Sequence, residues 1–216
     1  MLTSPRAIDF PLASPFSRAP ADGADLIGSV MRYGRDQEVF GQGAPASHVY
    51  RVLRGMARRF NLLTDGRRQI SDFYLPGDIF GLETGPEHRG TVEAVGDCAL
   101  IVAPRSSLDN QLRVTGWLWR LTMCEHERGH DHLLTLGRRG AVERVCWFLI
   151  DLADRTDATD QLEVPMSRQD IADYLGLTIE TVSRTVTHLA ARGLIGVRSR
   201  RSIHLRDRAA LAALCE

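Results

Sequence analysis

The sequence predicts an α+β chain: an antiparallel barrel or roll of short strands, then a long helix, then a helical domain closed by two strands. Three observations carry this. Short β-rich runs broken by glycine turns fill residues 37–104. A proline-free stretch of helical composition follows, from Leu108 to about Gly137. Two short helices joined by a glycine turn, with two strand candidates behind them, fill residues 167–205. The implied divisions are 1–25, 26–105, 106–139 and 140–216.

Residues 1–25 carry Pro5, Pro11, Pro15 and Pro20 and no sustained hydrophobic period, which predicts a mobile arm. In the next segment, Val49–Leu53 and Gln69–Leu75 read as strands. Gly55, Gly66 and Gly77 recur every eleven residues, and Asp65-Gly66 and Pro76-Gly77-Asp78 are turn chemistry. The long helix would span about 45 Å and needs apolar company on more than one side. One side is expected to meet the chain's own barrel and the other a second copy of the chain. Leu112, Leu118, Leu121 and Leu133 are the candidate dimer-helix residues, although Thr122, His126 and Gly129 interrupt the best heptad seam. After Gly140, the spacing of Ala141, Val145, Phe148, Leu149 and Leu152 predicts an amphipathic helix that ends in the polar loop Asp157–Asp160.

The two short helices are specified in detail. Ser167 with Asp170 three residues on is a helix start, and Ile171, Ala172 and Leu175 give an apolar face. Gly176 is placed to end that helix in a left-handed cap. Leu177 plugs the angle, and Thr178 caps a second helix with Glu180 near its positive end. Val182, Val186 and Leu189 make its inner face, and Arg192-Gly193 ends it. Leu194–Val197 and Ser202–Leu205 then form a wing, joined by the basic turn Arg198-Ser199-Arg200-Arg201.

Charge supports the same region. The 216 residues hold 27 basic and 27 acidic side chains, and every basic one is Arg. An Arg fork grips guanine or phosphate with two bonds, which Lys cannot do. From Val164 to Arg206 seven Arg face three acids (Asp170, Asp173 and Glu180), a local basic patch in a neutral chain. The outer face of the second helix carries Glu180, Ser183, Arg184 and Thr187. Glu180 and Arg184, four residues apart, can pair with each other or read cytosine and guanine side by side. The apolar fraction of 44%, no run of ~18 apolar residues and no secretory leader predict a cytoplasmic protein without a membrane partner. Cys98, Cys124, Cys146 and Cys215 are scattered, which argues against a zinc knuckle or a disulfide framework.

The run Ser167-Arg168-Gln169-Asp170-Ile171-Ala172-Asp173-Tyr174-Leu175-Gly176-Leu177-Thr178-Ile179-Glu180-Thr181-Val182-Ser183-Arg184 closely resembles the DNA-binding signature of the Crp/Fnr superfamily of transcriptional regulators. Leu75-Pro76-Gly77-Asp78-Ile79-Phe80-Gly81-Leu82-Glu83 resembles that family's sensor domain. The resemblance covers roughly residues 30–210. It implies a double-stranded β-helix of the jelly-roll, cyclic-nucleotide-binding kind, a long dimerisation helix and a C-terminal winged helix-turn-helix. It also implies a homodimer on palindromic double-stranded promoter DNA, with RNA polymerase as a partner.

Ile179–Arg184 is similar to the FixK version of the signature. The cyclic-AMP receptor branch has Arg where Ile179 stands and Gly where Ser183 stands, so the resemblance implies TTGA-type rather than GTGA half-sites. It carries base reading to Glu180, Ser183 and Arg184, and phosphate contact to Arg168, Gln169, Thr178 and Thr181; the wing adds Arg198 and Arg200. The branch that binds cyclic nucleotides has Gly-Glu and Arg-Ser pairs where this chain has Gly81-Leu82 and Glu87-His88-Arg89-Gly90-Thr91. The oxygen-sensing branch has an N-terminal cysteine cluster for an iron–sulfur centre, whereas the first cysteine here is Cys98. Neither a cyclic nucleotide nor any other cofactor is expected. Control of low-oxygen respiration, nitrogen fixation or denitrification genes follows by analogy.

Two rivals compete. His126-Glu127-Arg128-Gly129-His130 is literally HExxH, the helix motif of zinc hydrolases, but Leu133 and Leu136 stand where an extended motif has Gly and His. A regulator of the same fold that senses gas through haem would use ligands such as His88, His126 or Cys124, which no spacing selects. The expectation is a regulator and no enzyme, with His132 a further exposed imidazole.

Overall fold

The computed structural model describes residues 26–108 and 114–215, without the side chains of residues 114–118 and 138. The expected arm 1–25 lies outside the described residues. Eight strands follow one another: β1 (Ser29–Tyr33), β2 (Glu38–Phe40), β3 (His48–Arg54), β4 (Ala57–Leu62), β5 (Arg68–Tyr74), β6 (Ile79–Phe80), β7 (Thr91–Ala94) and β8 (Cys98–Pro104). They make two four-stranded antiparallel sheets, ordered β1-β8-β3-β6 and β2-β7-β4-β5. In β7, Val92 and Ala94 point inward while Thr91 and Glu93 stay half-buried, the period of two that a strand with one covered face requires. The sheets close on Tyr33, Phe40, Tyr50, Val52, Phe80 and Leu100, giving the jelly roll that the sequence implies.

The regularly spaced Gly55, Gly66 and Gly77 all have positive φ (84°, 81° and 97°), so each marks a turn as read. Gly55 is needed for space as well. A Cβ there would lie 2.3 Å from the carbonyl oxygen of Asp97, in backbone that cannot move aside.

Helix α1 (Val114–Arg138) leaves the roll. Leu121 is 1% exposed and packs with Leu26, Val49, Ile79 and Ala103 of the chain's own roll. Leu133, one helical stripe away, is 70% exposed. Leu112 lies outside the described residues, as does the Leu118 side chain. His132 is a correction: it is buried, with Nε2 hydrogen-bonded at 2.8 Å to the carbonyl of Tyr174 and its ring stacked 4.0 Å from that of Tyr174. A helix position reads as solvent-facing from its neighbours alone; the element covering it comes from forty residues away.

Helix α2 (Ala141–Arg155) starts where the Gly140 N–H donates to the Glu143 carboxylate at 2.8 Å, and it buries Val145, Phe148, Leu149 and Leu152. Then come β9 (Gln161–Glu163), α3 (Arg168–Leu175), α4 (Ile179–Ala191), β10 (Ile195–Ser199), β11 (Ser202–Leu205) and α5 (Arg208–Ala213). The wing is a three-stranded sheet, β10-β11-β9, rather than a lone hairpin. A three-residue strand with one buried side chain, Leu162, leaves almost no periodic signal. The tight turn also shrinks to Arg200-Arg201, because β10 runs on through Ser199.

The helical domain does not stand apart from the roll. Met56, Phe60, Ile70, Phe73 and Leu75 share one core with Phe148, Leu149, Tyr174 and Leu175. Each such fully buried side chain contributes roughly 1.5–3 kcal/mol. Ionic bonds line the same seam. The Asp170 carboxylate meets Arg58 (3.2 Å) and Arg68 (2.6 Å), and Arg68 also meets Asp173 (2.8 Å). On the α2 side, Arg155 reaches Asp78 at 2.9 Å.

Candidate nucleic-acid interface

The helix pair forms as its caps dictate. Ser167 Oγ accepts from the Asp170 N–H at 3.0 Å, and the Asp170 carboxylate accepts from the Ser167 N–H, also at 3.0 Å. Gly176 sits in the left-handed region at φ 61°, and the Leu177 N–H bonds to the Ala172 carbonyl. A Cβ on Gly176 would meet nothing closer than 3.5 Å, so its conformation rather than lack of space calls for glycine. Thr178 Oγ1 accepts from the Thr181 N–H at 3.2 Å and opens α4.

The inner face of α4 is buried through Val182, Thr185, Val186 and Leu189. Its outer face presents Glu180, Ser183, Arg184 and Thr187 to solvent. Glu180 and Arg184 form no ion pair among the described residues, so both charged ends stay open to solvent. The Glu180 carboxyl is held below its ordinary range first by its own backbone N–H, then by the Thr178 hydroxyl, with Arg184 adding less. The helix start therefore keeps it charged and able to accept. Thr187 differs: its hydroxyl donates to the Ser183 carbonyl at 3.0 Å.

The residues expected at phosphates divide between two grooves. Arg168 and Arg200 line a groove of about 600 Å³ with Ile179, Ser183 and Arg201, between α4 and the wing. Gln169, Thr178 and Thr181 line a second groove of about 710 Å³, which the β4–β5 hairpin closes with Leu63 and Arg67. Gln169 already donates to Asp173 at 2.6 Å, and the Thr178 and Thr181 hydroxyls lie 3.1 Å apart. Arg198 is exposed on β10 and lines neither of these grooves. One lining residue that sequence reasoning missed is Arg35, contributed to the first groove by the roll. Nothing local marks it, because the rest of the groove lining lies at least 130 residues further along the chain.

The roll's loop departs from the cyclic-nucleotide pattern at Leu82 and at Glu87–Thr91. Glu83 accepts from Arg59 (3.1 Å) and from the Arg89 N–H (3.3 Å). His88 is buried and its ring stacks on Phe40 with centroids 3.5 Å apart. Burial pushes its imidazole below the ordinary range and keeps it neutral. On α1, His126, Glu127 and His130 are exposed, and among the described residues no three His, Cys, Asp or Glu side chains gather as metal ligands. HExxH lacks its third ligand there.

An exposed recognition helix beside a basic wing, behind a jelly roll and a long helix, defines a two-domain DNA-binding regulator. The comparisons agree with that class. Residues 143–214 match the Crp-like helix-turn-helix domain, and residues 30–114 match the cyclic nucleotide-binding domain. The nitrogen fixation regulation protein FixK of Azorhizobium caulinodans is 45% identical over 214 residues, covering 94% of this chain and 86% of that one. FixK of Rhizobium meliloti is 43% identical, with 91% and 90% covered. The solved structure of FixK2 from Bradyrhizobium japonicum superposes with a TM-score of 0.85 at 44% identity, covering 88% of this chain and 98% of that one. The chain belongs to the FixK-like branch of the Crp/Fnr superfamily of transcriptional regulators.

Proposed function

We propose that this regulator binds palindromic TTGA-type promoter sites as a homodimer, each protomer laying α4 in a major groove. Glu180, Ser183 and Arg184 read bases; Arg168, Gln169, Thr178, Thr181, Arg198 and Arg200 hold phosphates. The observation that carries this is the strip of Glu180, Ser183 and Arg184, exposed on one face and unpaired with each other. The dimer reading rests on the free side of α1, where Trp119 (65% exposed), Leu133 and Leu134 await cover while Leu121 serves the roll. Sedimentation at micromolar concentration tests it, and a monomer would remove the palindrome as well.

The relatives' names, nitrogen fixation regulation proteins, suggest the corresponding genes as targets, with low-oxygen respiration or denitrification beside them. In this reading the protein is cytoplasmic, recruits RNA polymerase, catalyses no reaction and takes no cyclic nucleotide. Expression level, proteolysis or a further signal sets its activity. No helix of the described residues is long and apolar enough to cross a membrane. Arg184→Ala tests base reading: it should cost about 1–3 kcal/mol on a TTGA palindrome and relax the guanine preference. An equal loss on every duplex would assign Arg184 to phosphate instead.

A further inference from the structure

We propose that Arg35, on the β1–β2 turn of the roll, is a DNA-contacting residue that adds a backbone phosphate to the footprint of the helix-turn-helix. The inference rests on the DNA-binding reading above and extends the interface to a domain outside the matched helix-turn-helix.

Four arginines, Arg35, Arg168, Arg200 and Arg201, line one groove of about 600 Å³, and its lining contains no acid. None of the four forms an ion pair among the described residues. Like charges gathered this way repel, so the arrangement is stable only beside an anion or well-spread solvent. Arg168 is the most telling of them. It is half-buried, and burial alone pulls it below its ordinary range with no acid to offset the cost. The groove opens beside Ile179 and Ser183 on the recognition helix and Val197 on the wing. A duplex read by α4 must bring its backbone there, at one charge per ~1.7 Å of axis.

The turn that carries Arg35 is fixed toward that groove. The Gln37 N–H bonds to the Gly34 carbonyl (3.1 Å) and the Gly34 N–H to Gln37 Oε1 (2.9 Å), closing the turn on itself. The next residue, Asp36, has φ 60° and donates its N–H to the Ala94 carbonyl at 2.8 Å. The Asp36 carboxylate, still open to solvent, meets the buried Arg58 at 2.9 Å, and Arg58 also holds Asp170. Asp170 in turn caps Ser167, the neighbour of Arg168 in the chain and itself part of the groove lining. A continuous relay thus ties the roll's turn to the start of α3. Asp36 is spent on that relay, which leaves the charge of Arg35 unanswered.

The test is a salt titration of the full chain, by fluorescence anisotropy, on a TTGA palindrome and on a scrambled duplex of equal length. With one contact per protomer of the dimer, Arg35→Ala should lower the slope of log affinity against log salt by about 1.8. Its penalty should then shrink about tenfold between 50 and 200 mM salt, equally on both duplexes. Arg35→Lys should keep most of the slope. Circular dichroism melting should leave both variants at the wild-type midpoint, since the side chain is exposed. An unchanged slope in Arg35→Ala, with wild type binding normally and Arg184→Ala losing discrimination, overturns this inference alone. Wild type that binds neither duplex overturns the parent reading and this one with it.

Discussion

Arginine is used in two opposite ways in this molecule. In the seam between roll and helices, Arg58, Arg68 and Arg155 are each held by carboxylates, Arg58 by Asp36, Glu93 and Asp170 together. On the groove face, Arg35, Arg168, Arg200 and Arg201 have no ion-pair partner among the described residues. The same side chain is neutralised where it fixes structure and left bare where a polyanion is to come. Net charge hides this, because 27 Arg against 27 acids sum to zero while the pairing is uneven in space.

The largest effect should come from breaking the paired class. Asp170→Ala takes one carboxylate from Arg58, which keeps Asp36 and Glu93, and one from Arg68, which keeps Asp173. It also removes the acceptor of the Ser167 N–H, and the two lost charged bonds and half of the capping box should together cost about 3–5 kcal/mol. Urea unfolding measures it; a loss below about 1 kcal/mol would show that Asp36, Glu93 and Asp173 suffice for the two arginines. The next effect is pH. Burial pushes the Glu125 carboxyl up to about 7 and, beside Arg155, the Asp151 carboxyl up to about 6. Both face one small cavity with Asp72, Arg128 and His132. A carboxyl raised in the folded state holds its proton there while the unfolded chain releases it. Its stabilisation is full below the unfolded value and fades as pH rises through 6 and 7. On the order of 3 kcal/mol should disappear between pH 5 and 8. A melting temperature that stays flat over that span, or Glu125→Gln with the wild-type pH slope, would contradict it.

Two smaller effects probe the bare class. Thr178→Ala removes the cap of α4 and should cost about 1 kcal/mol of stability, with a further loss of DNA affinity if its hydroxyl also meets a phosphate. Arg200→Ala should weaken every duplex alike and flatten the salt slope by about 0.9 per lost contact. A loss confined to the TTGA palindrome would make the wing a reader of sequence.

The parts legible in the sequence are those decided within a few residues. Ser167, Gly176 and Thr178 announce their caps because each acts on backbone three or four positions away. Gly66 and Gly77 announce turns because only their own φ is at stake. Illegible parts depend on what the topology brings near. Asp170 is readable as a helix-start acid, but not as the anchor of two roll arginines more than 100 residues earlier. Leu121 and His132 lie on one helix with Leu133. Which of them the chain itself covers depends on the roll and on Tyr174, and no periodicity distinguishes the three. For Arg35 the signal that would have served is a pairing map, showing which cations the fold leaves without an acid.

The apolar seam that joins Phe60, Ile70 and Phe73 to Phe148 and Tyr174 has a bearing on how the protein comes apart. Two domains sharing a core cannot each keep a dry interior after separation. Heat or denaturant should therefore melt the chain in one cooperative transition, and an excised helical half would carry an open greasy flank into water. A protease that seizes either half removes the whole regulator, which makes the lifetime of the chain a single adjustable quantity.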